Sequence, residues 1–370
     1  MHYIKQLDSV RAIAVILVII THWVPETHAL NVYTGVFNGV DIFFVLSGFL
    51  ITRILLETRM EAEKLGTPKI TLVKNFFTRR FLRIFPIYYL TVFLLFVAGP
   101  ATGTDIRGNF LYFLTYTSNF YFFDRQEWDG MLSHLWSLSV EEQFYLIWPW
   151  FMLFLHKRSL LPLILLSVLT GIAAQLLLME VSFGDILTFS CFDGFGLGAL
   201  LAWVVVFRPA SLGRLYPAAL CLAVMSCLLQ VMRVAGSGGI VLLPSRTLTA
   251  IFTLWVIIGI LLYGEKKSIF FNSILSNRAL IFIGKISYGL YLYHLIIPYV
   301  TWRAFDRMNS YLPSAIYRYN EYLVQVENLG LLLLISYISW VLIEKPILRL
   351  KRYFEYQQTP AVAPPKAVAS

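Results

Sequence analysis

Arg11 and His22 stand in the run LDSVRAIAVILVIITHW, residues 7 to 23, which is otherwise apolar enough to enter a membrane. A guanidinium grips anions, and an imidazole accepts protons near neutral pH. Eleven residues at about 100° each bring the two side chains back to nearly one helix face, about 16 Å apart along the axis. Asp8 extends this polar stripe. Each residue also has a plainer use, with Arg11 snorkelling to headgroups and His22 capping the outer end. In GVFNGVDIFFVLSGFLI, Asp41 falls at the entry of the next apolar run, which returns antiparallel after a short loop and so puts Asp41 at the depth of His22. A carboxylate there would orient an imidazole. It would serve equally as a helix N-cap beside Asn38 and Gly39.

In KNFFTRRFLRIFPIYYL, Arg79, Arg80 and Arg83 share a face at i, i+3 and i, i+4, forming a guanidinium cluster suited to phosphate oxygens. A basic aromatic helix lying on anionic lipid has the same pattern. SHLWSLSVEEQFYLIWPW carries His134, Ser137, Ser139, Glu141, Glu142 and Gln143 into one apolar segment, so at least one glutamate must face protein or water. Buried hydrogen bonds between helices account for this density as well as chemistry does. Asp193 in CFDGFGLGALLAW, His294 in ISYGLYLYH and Glu344 at the end of the last apolar run are lesser candidates. Cys191, Cys221 and Cys227 lie in apolar segments without a CxxC pair, so neither a disulfide framework nor a metal site is expected.

The elements that must position these residues follow from composition. Of 370 residues, 58% are hydrophobic and only 14% charged, against about 25% charged in a typical soluble chain. Mean hydropathy is +0.70. The apolar runs do not alternate as β-barrel strands would, which leaves an all-α, polytopic membrane helix bundle. The net charge of +9 sits mostly in short stretches between apolar runs, such as KNFFTRRFLR, HKR, EKK and EKPILRLKR. That is a positive-inside pattern, and the Tyr and Trp near the run ends fit interfacial belts, so lipid rather than nucleic acid is the expected partner.

About ten spans are expected, near residues 10 to 24, 38 to 56, 84 to 99, 138 to 155, 160 to 178, 186 to 206, 215 to 234, 246 to 263, 284 to 302 and 326 to 343. Placing every basic stretch on one side then makes both termini cytoplasmic. The first run has a thin basic region and no small-residue cleavage site, so it reads as a retained helix. Residues 101 to 133 are apolar only in a short stretch rich in Tyr, Thr, Ser and Asn, and read as re-entrant or interfacial. Residues 1 to 353 form one membrane domain, and residues 354 to 370, rich in Pro and Ala, a disordered tail.

Taken together, LDSVRAIAVILVIITH, GVDIFFVLSGFLI, RRFLRIFPIYY, SHLWSLSVEEQFYLIWP, ISYGLYLYH and IEKP resemble, in order and over nearly the whole length, the acyltransferase 3 family of membrane acyltransferases. The resemblance implies transfer of an acyl group, commonly acetyl, from an acyl-CoA to a hydroxyl of a carbohydrate or related glycan-like acceptor at the bacterial inner membrane. It places Arg11 and His22 on the family's first-helix motif, with His22 where the catalytic histidine is expected. It places Arg80 and Arg83 on the RxxR pair proposed to engage the coenzyme, with Arg79 extending it. Glu141 and Glu142 fall in the matching VEEQFY segment and Glu344 in the ExP segment. The chain departs from the pattern at Val10 and Ala12, where Gly is often found, and before Asp193, where an arginine often stands. Larger relatives add an extracytoplasmic hydrolase-like domain that has no counterpart here, so no second activity is expected.

The resulting expectation is a single passage. Donor phosphates sit at Arg79, Arg80 and Arg83, the pantetheine arm runs beside Arg11, and an acceptor hydroxyl meets the thioester near His22, whose imidazole takes its proton while Asp41 holds the ring. No metal is required. An acyl-histidine route fits the same residues. A transporter or flippase of an acylated lipid or glycan is the alternative from a different class, since charged residues in spans also mark substrate paths.

Overall fold

A computed structural model of the chain describes residues 3–236, 243–266 and 268–354. It is helical throughout, with no strand among the described residues. The first helix, α1 (Lys5–Trp23), is followed by a short α2 (Ala29–Thr34) and two long helices, α3 (Gly39–Leu65) and α4 (Lys69–Ala98). Two short helices, α5 (Phe110–Leu114) and α6 (Ser118–Arg125), lead into α7 (Leu135–Phe154), α8 (Lys157–Leu177), α9 (Phe192–Phe207), α10 (Leu212–Val234) and α11 (Ser245–Tyr263). The remainder comprises α12 (Arg278–Lys285), α13 (Ser287–Tyr293), α14 (Ile296–Asn309), α15 (Ser314–Tyr317), α16 (Asn320–Ser339) and α17 (Lys345–Arg349).

Local chemistry sets these limits. Helix α3 starts where the Asn38 side chain accepts from the Val40 amide at 2.8 Å, and it stops at Gly66, whose φ of 70° suits a residue without a Cβ. Among the described residues, eight helical segments are long and apolar enough to cross a membrane. They correspond to eight of the ten expected spans. The other two differ in kind. Helix α7 has 20 residues, a length that suffices at 1.5 Å per residue, but with Glu141, Glu142 and Gln143 in its first half it is not among those eight.

The expected span 284 to 302 is not one helix, and here the sequence reading needs correction. It is divided among α12, α13 and α14, with breaks at Ile286 and at His294–Leu295. At the second break His294 Nδ1 lies 2.6 Å from the Tyr291 carbonyl oxygen, which an unbroken helix would have offered to the amide of residue 295. A side chain competing for a backbone acceptor is a recognised way to interrupt a helix. No helix of spanning length forms over residues 103 to 134. Residues 355 to 370 of the expected tail lie outside the described residues.

Helix α3 is central because it enters both hydrophobic cores. Its Phe44 and Ile51 pack with Phe76, Tyr88, Val140 and Phe144 of α4 and α7, whereas Val45 and Phe49 pack with Leu7, Ala202 and Ile257 of α1, α9 and α11. Small residues let it approach α9 closely: a Cβ at Gly48 would collide with the Phe195 carbonyl, and one at Gly198 with that of Val45. Helix α1 is pinned at both ends. Gln6 Nε2 donates to the Gly264 carbonyl at 2.7 Å and Ser9 Oγ to that of Leu275 at 2.7 Å, while Trp23 Nε1 donates to the His294 carbonyl at 2.8 Å. Those contacts fix the depth and rotation at which Arg11 and His22 are presented.

Candidate active site

Toward the start of α1, Arg11 meets Arg80 and Arg83 of α4 around one cavity of about 90 Å³. Ser47 of α3, Glu141 and Tyr145 of α7, and Tyr291 of α13 also line it. Each guanidinium is held differently. Arg11 Nη1 pairs with Asp8 Oδ1 at 2.5 Å, and the Tyr3 hydroxyl donates to the same carboxylate. Arg80 stacks over the Tyr145 ring at 4.7 Å, a cation–π contact. Arg83 lies within electrostatic reach of Arg11, Glu344 and Lys351. Glu141 accepts from the Tyr145 hydroxyl at 2.5 Å and from Ser47. Three guanidinium groups line the cavity against one carboxylate, Glu141, and that many convergent N–H donors suit an anion with several oxygens. Arg79 is not among the cavity's lining residues.

The other end of α1 carries a second cluster. His22 Nδ1 lies 2.8 Å from the Val18 carbonyl, His294 Nδ1 2.6 Å from that of Tyr291, and His134 Nε2 3.0 Å from that of Leu292. A carbonyl only accepts, so each of these nitrogens carries the proton and the other nitrogen of each ring is left basic. The rings form a chain: His22 meets His294 edge-on with centroids 5.0 Å apart, and His294 meets His134 at 4.8 Å. His134 and His294 are buried, and their remaining nitrogens have no partner. His22 is exposed at the end of its helix. Among the described residues no three His, Cys, Asp or Glu side chains are arranged to hold a metal.

Two expectations are corrected by this geometry. Asp41 does not hold His22: its Oδ1 accepts from Arg246 Nε at 2.7 Å, with both side chains buried. Arg246 also donates to the Asp185 carbonyl at 2.6 Å and lies over the Trp136 ring at 6.0 Å. Asp41 is also set back from His22 along α1, since Gly39, two residues before it, packs on Ala14 and Val18, and its carboxylate points to Arg246 of α11 instead. The expected passage is also not open from end to end. His22 does not line the arginine cavity, and Tyr291 stands between them, lining that cavity while its ring lies 5.4 Å from His294. Its hydroxyl pairs with Ser137 and donates to the His134 carbonyl at 3.2 Å.

The sequence family model for an acyltransferase domain, acyltransferase 3, matches residues 4–344. The chain belongs to the acyltransferase 3 family. Among family relatives, peptidoglycan O-acetyltransferase OatA of Listeria monocytogenes is 37% identical over 185 residues, covering 46% of this chain and 27% of its own. A putative peptidoglycan O-acetyltransferase, YrhL, of Bacillus subtilis is 39% identical over 161 residues, covering 40% of this chain and 24% of its own. A putative O-acetyltransferase of Staphylococcus aureus strain COL is 30% identical over 335 residues, covering 80% of this chain and 51% of its own. The chain thus spans between about a quarter and a half of the length of these relatives. No solved structure matches.

Within the family frame, the remaining site candidates have definite places. Glu142 faces away from the arginine cavity, toward α4 and residue 116. Glu344 is buried, and Ser339 Oγ donates to it at 3.4 Å. Asp193 accepts from Thr247 Oγ1 at 2.6 Å, next to the Asp41–Arg246 pair. Arg246, Ser47, Tyr145 and Tyr291 were not singled out from sequence. Arg246 was readable, because an arginine opening the apolar run SRTLTAIFTLWVIIGILLY violates the same rule that drew notice to Arg11.

Proposed function

We propose that this protein is a membrane-embedded O-acyltransferase that takes an acyl group, commonly acetyl, from an acyl-CoA on the cytoplasmic side and delivers it to a glycan hydroxyl arriving from the outer side. The observation that carries the reading is the convergence of Arg11, Arg80 and Arg83 on one cavity, joined through Tyr291 to a histidine chain that ends at His22. The donor's phosphates bind the arginines, which supply the charge-assisted contacts an anion of this kind needs. Its thioester end is directed past Tyr291 toward the imidazoles.

The acceptor hydroxyl donates its proton to His22 Nε2 as its oxygen attacks the thioester carbonyl carbon. The new C–O bond forms, the C–S bond breaks, and the coenzyme leaves as a thiolate that takes up a proton. Val18 holds the ring in the tautomer this step needs. Tyr291 and Ser137 line the arginine cavity on its histidine side, so in this reading Tyr291 shifts as the thioester end passes. In this arrangement both termini are cytoplasmic, α7 and the broken segment α12–α14 complete a count of ten crossings, and the membrane is the bacterial inner membrane. The peptidoglycan named for the relatives is the first acceptor to test.

The test compares glycans from cells with and without the gene by mass spectrometry, alongside acyl-CoA turnover by the purified protein. Loss of an acyl mass increment from one glycan, together with thiol release in vitro, is the expected result. Unchanged glycans and no thiol release in the presence of that glycan would overturn the reading.

A further inference from the structure

A second cavity, of about 510 Å³, lies against the arginine cavity and shares Arg80 and Tyr145 with it. One wall is α4, whose Phe77, Phe81, Phe85 and Tyr89 recur every four residues and therefore form one stripe. Phe81 is 53% exposed at the rim, so in a membrane-spanning chain this groove opens sideways into lipid.

Its deep side is built around Tyr116, which is only 5% exposed and has φ of 52°. That left-handed conformation is sparsely populated for a residue with a bulky side chain, and such outliers persist only where the surroundings enforce them. The enforcement is visible. Gln143 Nε2 donates to the Tyr116 carbonyl at 2.7 Å, and the Tyr116 ring stacks on Tyr88 at 4.2 Å. The Tyr88 and Tyr89 hydroxyls donate to the carbonyls of Phe113 and Leu114 at 2.8 and 2.9 Å, fastening the segment to α4. What this scaffold presents is a buried hydroxyl without a partner. Glu142 Oε1, lining the same cavity, is also buried and unpaired. Nine in ten buried polar groups find a partner, so two orphans facing one groove call for a ligand.

The polar atoms select its head. A carboxylate needs a donor and a phenol can donate, so an alcohol satisfies both at once by donating a hydrogen bond to Glu142 and accepting one from Tyr116. An ammonium group would meet the Arg80 charge in the same cavity, and a phosphate or carboxylate would meet Glu142. The phenyl stripe suits a hydrocarbon chain. We propose that this groove binds one uncharged, hydroxyl-bearing amphiphile entering from the bilayer, its hydroxyl between Glu142 and Tyr116 and its chain along Phe77, Phe81, Phe85 and Tyr89. The site stands independently of the acyl-transfer reading, because its test needs no acyl-CoA.

The experiment uses the full chain in lipid nanodiscs and a hexadecanol carrying a mid-chain diazirine. Expected is saturable photolabelling within residues 77–89, competed by unlabelled hexadecanol and not by hexadecylamine or palmitate. Tyr116→Phe, which keeps the stacked ring but removes the donor, and Glu142→Gln, which replaces a charged acceptor by a neutral one, should each raise half-saturation by roughly tenfold. Phe81→Trp, a change at the exposed rim, should block labelling by filling the groove while leaving the protein monodisperse. Should Glu142→Gln not fold, Tyr116→Phe and Phe81→Trp decide. Labelling that never saturates, that is equal in the folded variants, or that the amine or the fatty acid competes as well as the alcohol would overturn the proposal.

Discussion

The two ends of α1 solve opposite problems with buried polar groups. At the Arg11 end, three guanidinium groups and one carboxylate, Glu141, line a cavity, so donors stand ready for an anion that arrives. At the His22 end, each imidazole donates to a backbone carbonyl, and the second nitrogens of His134 and His294 are buried without a hydrogen-bond partner. The first arrangement suits holding an anion and the second suits accepting a proton, so in the proposed reaction the binding and chemical steps fall at separate depths of one bundle. Between them the Asp41–Arg246 pair is satisfied internally, and it marks what a structural charge looks like in this molecule.

Breaking the first end should have the largest effect. Removing both Arg80 and Arg83 by substitution with Ala deletes two charge-assisted contacts of about 1.5–3 kcal/mol each, so acyl-CoA binding should weaken by two orders of magnitude or more. Glycan binding should be unchanged. Equal losses for the two ligands, measured by titration of the purified protein, would return the cluster to the role of a lipid anchor.

Asp41→Asn tests the structural pair. It leaves Arg246 buried without its carboxylate and should cost about 3–5 kcal/mol of stability, visible as a lowered unfolding midpoint in detergent. Adding Arg246→Met should recover much of that loss. A stable Asp41→Asn protein with no transfer activity would instead move Asp41 into the chemistry. The smallest effect is expected far from both ends, where Arg125 pairs with Asp105 at 3.2 Å on the surface. Arg125→Ala should change stability by less than about 1 kcal/mol and leave transfer untouched.

Much of the arginine end was legible because charge in an apolar run is conspicuous and because i, i+3 and i, i+4 spacing fixes a shared face. That Arg11 meets Arg80 and Arg83 is not fixed by spacing within one helix, because they converge across a cavity that α3, α7 and α13 also line. The histidine end was harder to read. Sequence fixes neither the depth nor the rotation of one helix against another, so Asp41, expected beside His22, stands at Arg246 instead. His134 and His294 were noticed singly; their junction depends on the break at His294, which hydropathy cannot detect in the run ISYGLYLYHLIIPYV because every residue around it is compatible with a span. Tyr116 carried no sequence signal, since its left-handed backbone is imposed by Tyr88 and Gln143 from other elements.

The separation of the two ends is tested most directly by purified His22→Ala, with acyl-CoA binding and acyl transfer measured on the same sample. The account predicts donor binding within about twofold of the unmodified protein, since His22 is outside the arginine cavity. It predicts transfer reduced by about 10²–10⁴-fold, the usual contribution of a positioned general base. Transfer at near the original rate would contradict it.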